Sequence, residues 1–222
     1  MTEHIVKSYD NELNTLKNYL VTMTSLTNEH LNKLYNIMCL DDSSAALVQL
    51  ENLINNDEKV DVLDKNIVDL SLDILSLRNP VAHDLRFVFS ASHISRNLER
   101  VGDNISKTAH YVKDIKNKHL LLQSKVLQMI YILMDMTNKT KESLQLENDE
   151  LALQIIEIDE GIDLLFDEVS ALTLSEMKNL TNIITDLNGY SLIARSLERV
   201  GDHIVNSCRY IYFIKNNQLL YK

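Results

Sequence analysis

Proline is almost absent: Pro80 stands alone, and glycine occurs only four times in 222 residues. With so few breakers the backbone is seldom interrupted, which favours long helices and argues against a turn-rich sandwich or barrel. Tryptophan is missing and there are two cysteines, Cys39 and Cys208. Two cysteines do not make a disulfide framework, so a reducing compartment is expected. No uncharged apolar run reaches the roughly 18 residues that a membrane-spanning helix needs. The opening Met1-Thr2-Glu3-His4 lacks the basic and apolar regions of a signal peptide, so the chain is expected to be cytoplasmic. Positive charge is also scarce. Lysine and arginine number 22 against 32 acidic residues, giving a net charge of −10. Such a chain is repelled by a phosphate backbone and has no counterion-release term to drive binding, so no nucleic-acid partner is expected. The one short basic stretch, Lys113 to Lys118, is read as a solvated helix end.

What is present is an apolar period near 3.6 almost throughout. A first helix is expected from about Ile5 to Leu40, with Leu13, Leu16, Leu20, Met23, Leu31 and Leu34 on its stripe. Asp41 to Ser44 reads as a break and a cap. A second helical stretch covers about Ser44 to Leu77, bent near Asn55-Asn56, and Asn79-Pro80 ends it and opens a third, to about Lys118. Shorter counterparts follow at about Leu120 to Leu146, Glu150 to Lys178 and Thr181 to Asn216. No strand or hairpin signal occurs. The expectation is an all-α fold of two tandem, pseudo-symmetric antiparallel three-helix bundles, residues 1–118 and 119–222, side by side or end to end.

The chain also repeats itself. Arg96-Asn97-Leu98-Glu99-Arg100-Val101-Gly102-Asp103 returns as Arg195-Ser196-Leu197-Glu198-Arg199-Val200-Gly201-Asp202, an offset of 99 residues, and Tyr111 matches Tyr210. This period is too long for a solenoid unit and points to a duplicated subdomain. On a helical wheel with Glu99 at the origin, Asp103 falls at about 40°, while Leu98, Val101, Ile105 and Ala109 form a stripe from about −80° to −160°. The paired carboxylates are therefore expected on the surface, off the core face. Asp57 and Asp61 make a similar pair on the preceding helix, as do Asp159 and Asp163 in the second half. If the middle and last helices are antiparallel neighbours, four carboxylates converge on one groove in each half. Like charges on a helix repel by a few tenths of a kcal/mol per pair. A multivalent cation offsets that repulsion, and oxygen ligands suit hard cations such as Mg²⁺, Mn²⁺ or iron. Gly102 and Gly201 each cost roughly 1 kcal/mol against alanine inside a helix, which points to a close approach by a neighbour. Arg100 and Arg199 are placed to pair with the acidic groups.

These residues resemble the paired signatures of the PhoU family of phosphate-uptake regulators. Leu98 to Asp103 and Leu197 to His203 carry the likeness, and Pro80-Val81-Ala82-His83-Asp84-Leu85-Arg86 is similar to the segment that opens the third helix in that family. The resemblance implies two three-helix bundles and a role as negative regulator of the phosphate regulon. It also implies two partners, the ATPase subunit of a phosphate ABC transporter and a phosphate-sensing histidine kinase, with peripheral association to those membrane complexes and a homodimeric state. It implies metal ions, of iron, zinc, manganese or magnesium type and multinuclear. Glu99, Asp103, Glu198 and Asp202 correspond to ligands in the family's motif, and Asp57, Asp61, Asp159 and Asp163 correspond at lower specificity. The first copy departs from the pattern, with Asn104 and Lys107 where the second keeps His203 and Asn206.

Two other readings compete. A di-iron carboxylate enzyme would need Glu-x-x-His pairs inside the bundle. None of the seven histidines follows a glutamate at that spacing, and no nucleophile elbow or phosphate loop is present, so no enzyme is expected. A metal-free helical adaptor, docking basic partners on its acidic grooves, remains open.

Overall fold

The computed structural model describes residues 2–40, 43–55 and 58–220. The described elements are helical throughout: α1 Thr2–Met38, α2 Ser43–Asn55, α3 Glu58–Arg78, α4 Ala82–Asp114, α5 Leu120–Leu146, α6 Asp149–Asn179 and α7 Ile184–Asn216, with a single 3-10 turn at Thr181–Ile183. The expected second helix is thus two, α2 ending at Asn55 and α3 beginning at Glu58. Asp41, Asp42, Asn56 and Asp57 lie outside the described residues, so the cap expected at the first and the acidic pair expected at the last are not placed. Pro80 does not sit in the first turn of α4, as expected, but ahead of it. Asn79 ends α3 in the left-handed region (φ 49°), a conformation that asparagine tolerates, and α4 starts only at Ala82.

The later helices have legible ends. Glu147 closes α5 in the left-handed region, and Asn148 caps α6 by accepting hydrogen bonds from the backbone N–H groups of Glu150 and Leu151. His119 caps α5 through Nδ1, which accepts from the Leu122 N–H.

Each half makes its own three-layered bundle: α1, α2–α3 and α4, then α5, α6 and α7. The halves lie side by side rather than end to end. They meet along two seams, α4 against α7 and α1 against α5, and α4–α7 is the most extensive helix pair in the molecule. α4 and α7 run antiparallel. Arg86 Nε donates to the Ile214 carbonyl, His93 stacks on Tyr210 and Asn97 meets His203, so residue numbers rise on one helix as they fall on the other. Leucine, isoleucine and valine from all seven helices form one continuous core, including Leu16 and Leu20 of α1, Leu98 and Val101 of α4, and Leu197 and Val200 of α7. Burial of this apolar surface, at roughly 25 cal/mol per Å², drives the assembly. Among the described residues no helix is long and apolar enough to cross a membrane.

Candidate functional site: the paired acidic grooves

The antiparallel α4–α7 seam brings the two copies of the signature to the same level of the molecule. Asn97, two residues before Glu99, meets His203, the residue after Asp202, at 3.1 Å. Each signature then faces the preceding helix of its own half, α3 for the first and α6 for the second.

In the first half, the Glu99 side chain is only 15 % exposed and that of Asp103 33 %. The expectation of surface-facing carboxylates is therefore corrected for Glu99. A wheel assumes one buried direction, but α4 has α1, α2, α3 and α7 around it, so an off-stripe residue is covered as well. The partner from α3 is Asp64, which is 6 % exposed, while Asp61 is exposed. Sequence reasoning missed Asp64, although the signal was there: an aspartate sits on the buried stripe Val60, Asp64, Ile67, Ser71, Ile74. Ser95 Oγ donates to Asp64 Oδ1 at 2.8 Å, and Arg96 reaches the other oxygen at 3.3 Å.

Cations from the chain itself hold this cluster. Arg96 and Arg100 lie 3.8 and 3.4 Å from Glu99 Oε2. Arg100 and Lys107 lie 3.4 and 3.8 Å from Asp103. Burial, and next the Asp103 carboxylate, push the Glu99 carboxyl above the usual carboxylate range, against the pull of both arginines.

The second half differs. Glu198 has no cation within 4.0 Å among the described residues, and its carboxyl too is pushed up, first by burial and then by the charges of Asp202 and Asp163. Asp163 is exposed, whereas Asp159 is 5 % exposed and lies against the backbone of α7 at Gly201. A Cβ built on Gly201 would stand 2.5 Å from Asp159 Oδ1. The close approach inferred from the glycine is thus a carboxylate of α6 seated on the α7 backbone. Burial lowers the pKa of His203, against the pull of the Asp202 carboxylate.

The structure brings Glu198, Asp202 and Asp163 into one electrostatic neighbourhood, with Asp159 beneath. These are hard oxygen donors of clustered like charge, with Arg199 and Arg195 drawing on Glu198 from farther off, and they fit a hard cation in kind. Among the described residues no three His, Cys, Asp or Glu side chains stand close enough to hold one ion as placed. The donors therefore fit by chemistry and charge, and ligation would need their side chains to turn inward.

Comparisons with known proteins agree with this architecture. The PhoU domain model matches residues 20–112 and 126–211, one match in each half. A Xylella fastidiosa protein named phosphate-specific transport system accessory protein PhoU homolog is 28 % identical, over 97 % of this chain and 89 % of its own. A Thermotoga maritima protein named homolog 1 of the same accessory protein is also 28 % identical, over 98 % of this chain and 92 % of its own. Among solved structures, PhoU from Pseudomonas aeruginosa superposes with a TM-score of 0.86 at 22 % identity, covering 95 % of this chain and all of the other. The phosphate transport system regulatory protein PhoU from Streptococcus pneumoniae gives 0.84 at 24 % identity, covering 96 % of this chain. With both halves matched by the family model and the signature present twice at the α4–α7 seam, the chain belongs to the PhoU family.

Proposed function

We propose that this chain is a regulator of phosphate uptake and a negative regulator of phosphate-regulon signalling, not an enzyme. It acts in the cytoplasm between the ATPase subunit of a phosphate ABC transporter and a phosphate-sensing histidine kinase, as a homodimer peripheral to those membrane complexes. The observation that carries the reading is the duplicated signature, stacked across the α4–α7 seam with an acidic groove on each side. The names borne by its relatives support the phosphate-transport part.

In this reading Glu198 and Asp202, with Asp163 and Asp159, hold metal ions in the second groove, and Glu99 and Asp103 with Asp61 and Asp57 do so in the first. A bound ion supplies positive charge that neutralises clustered carboxylates and fixes α6 against α7. The protein's own residues do the rest: Gly201 lets Asp159 seat on α7, and Asn97 ties His203 to the opposite signature.

One observation favours the metal-free adaptor for the first groove. Arg96, Arg100 and Lys107 already neutralise Glu99, Asp64 and Asp103 there. The deciding test is capture of the transporter ATPase subunit and the sensor kinase by the purified chain, at high and low phosphate, with and without chelator. Capture of either partner supports the regulatory role, and loss of capture in chelator supports the metal-dependent form. Capture of neither partner in any condition would overturn the proposal.

A further inference from the structure

The one basic stretch of this acidic chain does not simply face solvent. Lys113, Lys116 and Lys118 border a cavity of about 370 Å³ at the end of the molecule where the two halves meet, away from the acidic grooves. Its wall is apolar: Ile37 and Met38 from α1, Leu50 from α2, and Val112 and Ile115 where α4 ends. The volume lies in the range of small-molecule sites, roughly 300–1,000 Å³, and an apolar body with a few convergent polar groups is their usual make-up.

The polar groups are specific. Lys113 is spanned to Glu51 at 2.8 Å across the mouth, and Lys118 Nζ donates to the Leu40 carbonyl at 2.8 Å. The Lys116 ammonium makes no hydrogen bond or ion pair with the described residues, yet its backbone is fixed, because its N–H donates to Asp186 Oδ1 at 2.9 Å. Gln123 donates Nε2 to the Met38 carbonyl, and its Oε1 is buried without a hydrogen-bond partner among the described residues. Tyr190, also on the wall, spends its hydroxyl on the His119 N–H at 3.2 Å. The site thus offers an apolar chamber bordered by Lys113, Lys116 and Lys118 in a protein of net charge −10. A cationic ligand meets repulsion at that rim.

We propose that this cavity binds an anionic amphiphile of small-molecule size: a short acyl or aryl body and a carboxylate or phosphate head at the lysines. The head settles on Lys116, whose ammonium makes no hydrogen bond or ion pair with the described residues and feels Asp186 only through its field. The exposed Lys113–Glu51 pair costs little to open. The chain fills the space against Leu50 and Ile115. This site is independent of the metal grooves.

The probe is N-octanoylglycine, which carries both the acyl body and the carboxylate head, titrated calorimetrically into the full chain at low salt. Its methyl ester keeps the chain and the N–H and removes the charge. The expected result is one-to-one binding, a dissociation constant about tenfold weaker for the ester, and weakening as salt rises. Lys116→Glu reverses the rim charge at an exposed residue; it sets a carboxylate near Asp186 and so should lower the melting temperature slightly, and it should weaken binding at least about tenfold. Ala46→Phe, which fills the chamber from α2, should abolish binding. No binding of the acid, equal binding of acid and ester, or wild-type binding by Lys116→Glu with its fold intact would each overturn the proposal.

Discussion

Asp159 Oδ1 of α6 lies 2.5 Å from the point a Cβ on Gly201 of α7 would occupy. This contact explains why a helix-weakening residue stands in the middle of the second signature, and it sets a sign that can be tested. Gly201→Ala gains about 1 kcal/mol of helix propensity but overpacks the contact by roughly 1–3 kcal/mol. The expected outcome in urea melts is a net loss of about 0–2 kcal/mol. In an Asp159→Ala background the same substitution should become stabilising, by about 0.5–1 kcal/mol. A stabilising Gly201→Ala in the wild-type background would show that the carboxylate gives way freely.

Asp186 carries the pH dependence of the loop between α4 and α5. It is 7 % exposed and accepts from the Lys116 N–H at 2.9 Å and the Asn117 amide at 2.8 Å. Burial raises its pKa, but these hydrogen bonds outweigh burial and hold the carboxyl below its usual value. A folded pKa below the unfolded one means stability that is full above the ordinary carboxylate value, about 4, and lost as pH falls through the depressed value. Asp186→Ala should cost about 1–3 kcal/mol near neutral pH. That difference should shrink only below about pH 4. Denaturant melts of both proteins across pH check it, and a difference that shrinks between pH 5 and 8 would contradict it.

The two cysteines should behave oppositely. Cys39 is exposed, whereas Cys208 is fully buried, lies 3.6 Å from the Thr140 hydroxyl, and has its thiol pushed up to about 12 by burial. The thiolate is the reactive form, so Cys208 is inert while the fold holds. Iodoacetamide at neutral pH should alkylate one residue per native chain, Cys39, and both in denaturant. Modification of Cys208 in the native protein would mean that the α5–α7 contact opens readily.

Metal content should be uneven between the halves. On the proposed function, protein purified without chelator or affinity metal holds ions chiefly at Glu198 and Asp202, where among the described residues no cation stands within 4.0 Å of the glutamate and Arg199 and Arg195 act on it from farther off. Elemental analysis of Glu198→Ala/Asp202→Ala should show the larger loss, and Glu99→Ala/Asp103→Ala the smaller. Lys107→Asn, which removes the cation 3.8 Å from Asp103, should raise the metal bound. A metal specific to the native state also raises stability, by about 2.7 kcal/mol at a hundredfold excess over its dissociation constant. Equal metal content in all four proteins would refute the assignment.

Much of this was legible in the chain because it is a local property. The Leu120–Leu146 span of α5 and the signature around Glu99 and again around Glu198 depend on residues near one another in sequence. Asp64 was not read, because an acidic residue on an apolar stripe has meaning only once Ser95 and Arg96 of another helix are seen to meet it. The exposure assigned to Glu99 failed for the same reason: the wheel knows one helix, and burial here comes from four neighbours.

By itself, then, the sequence determined the all-α class, the helix spans to within a few residues and the duplication, because periodicity and breakers act over a few turns. Which helices meet was decided only by tertiary packing. The side-by-side pairing of α4 with α7, the seating of Asp159 on Gly201, the internal neutralisation of Glu99 and the lysine-rimmed cavity all join residues far apart in the chain. Their positions follow from how apolar faces interlock, and no single helix encodes that.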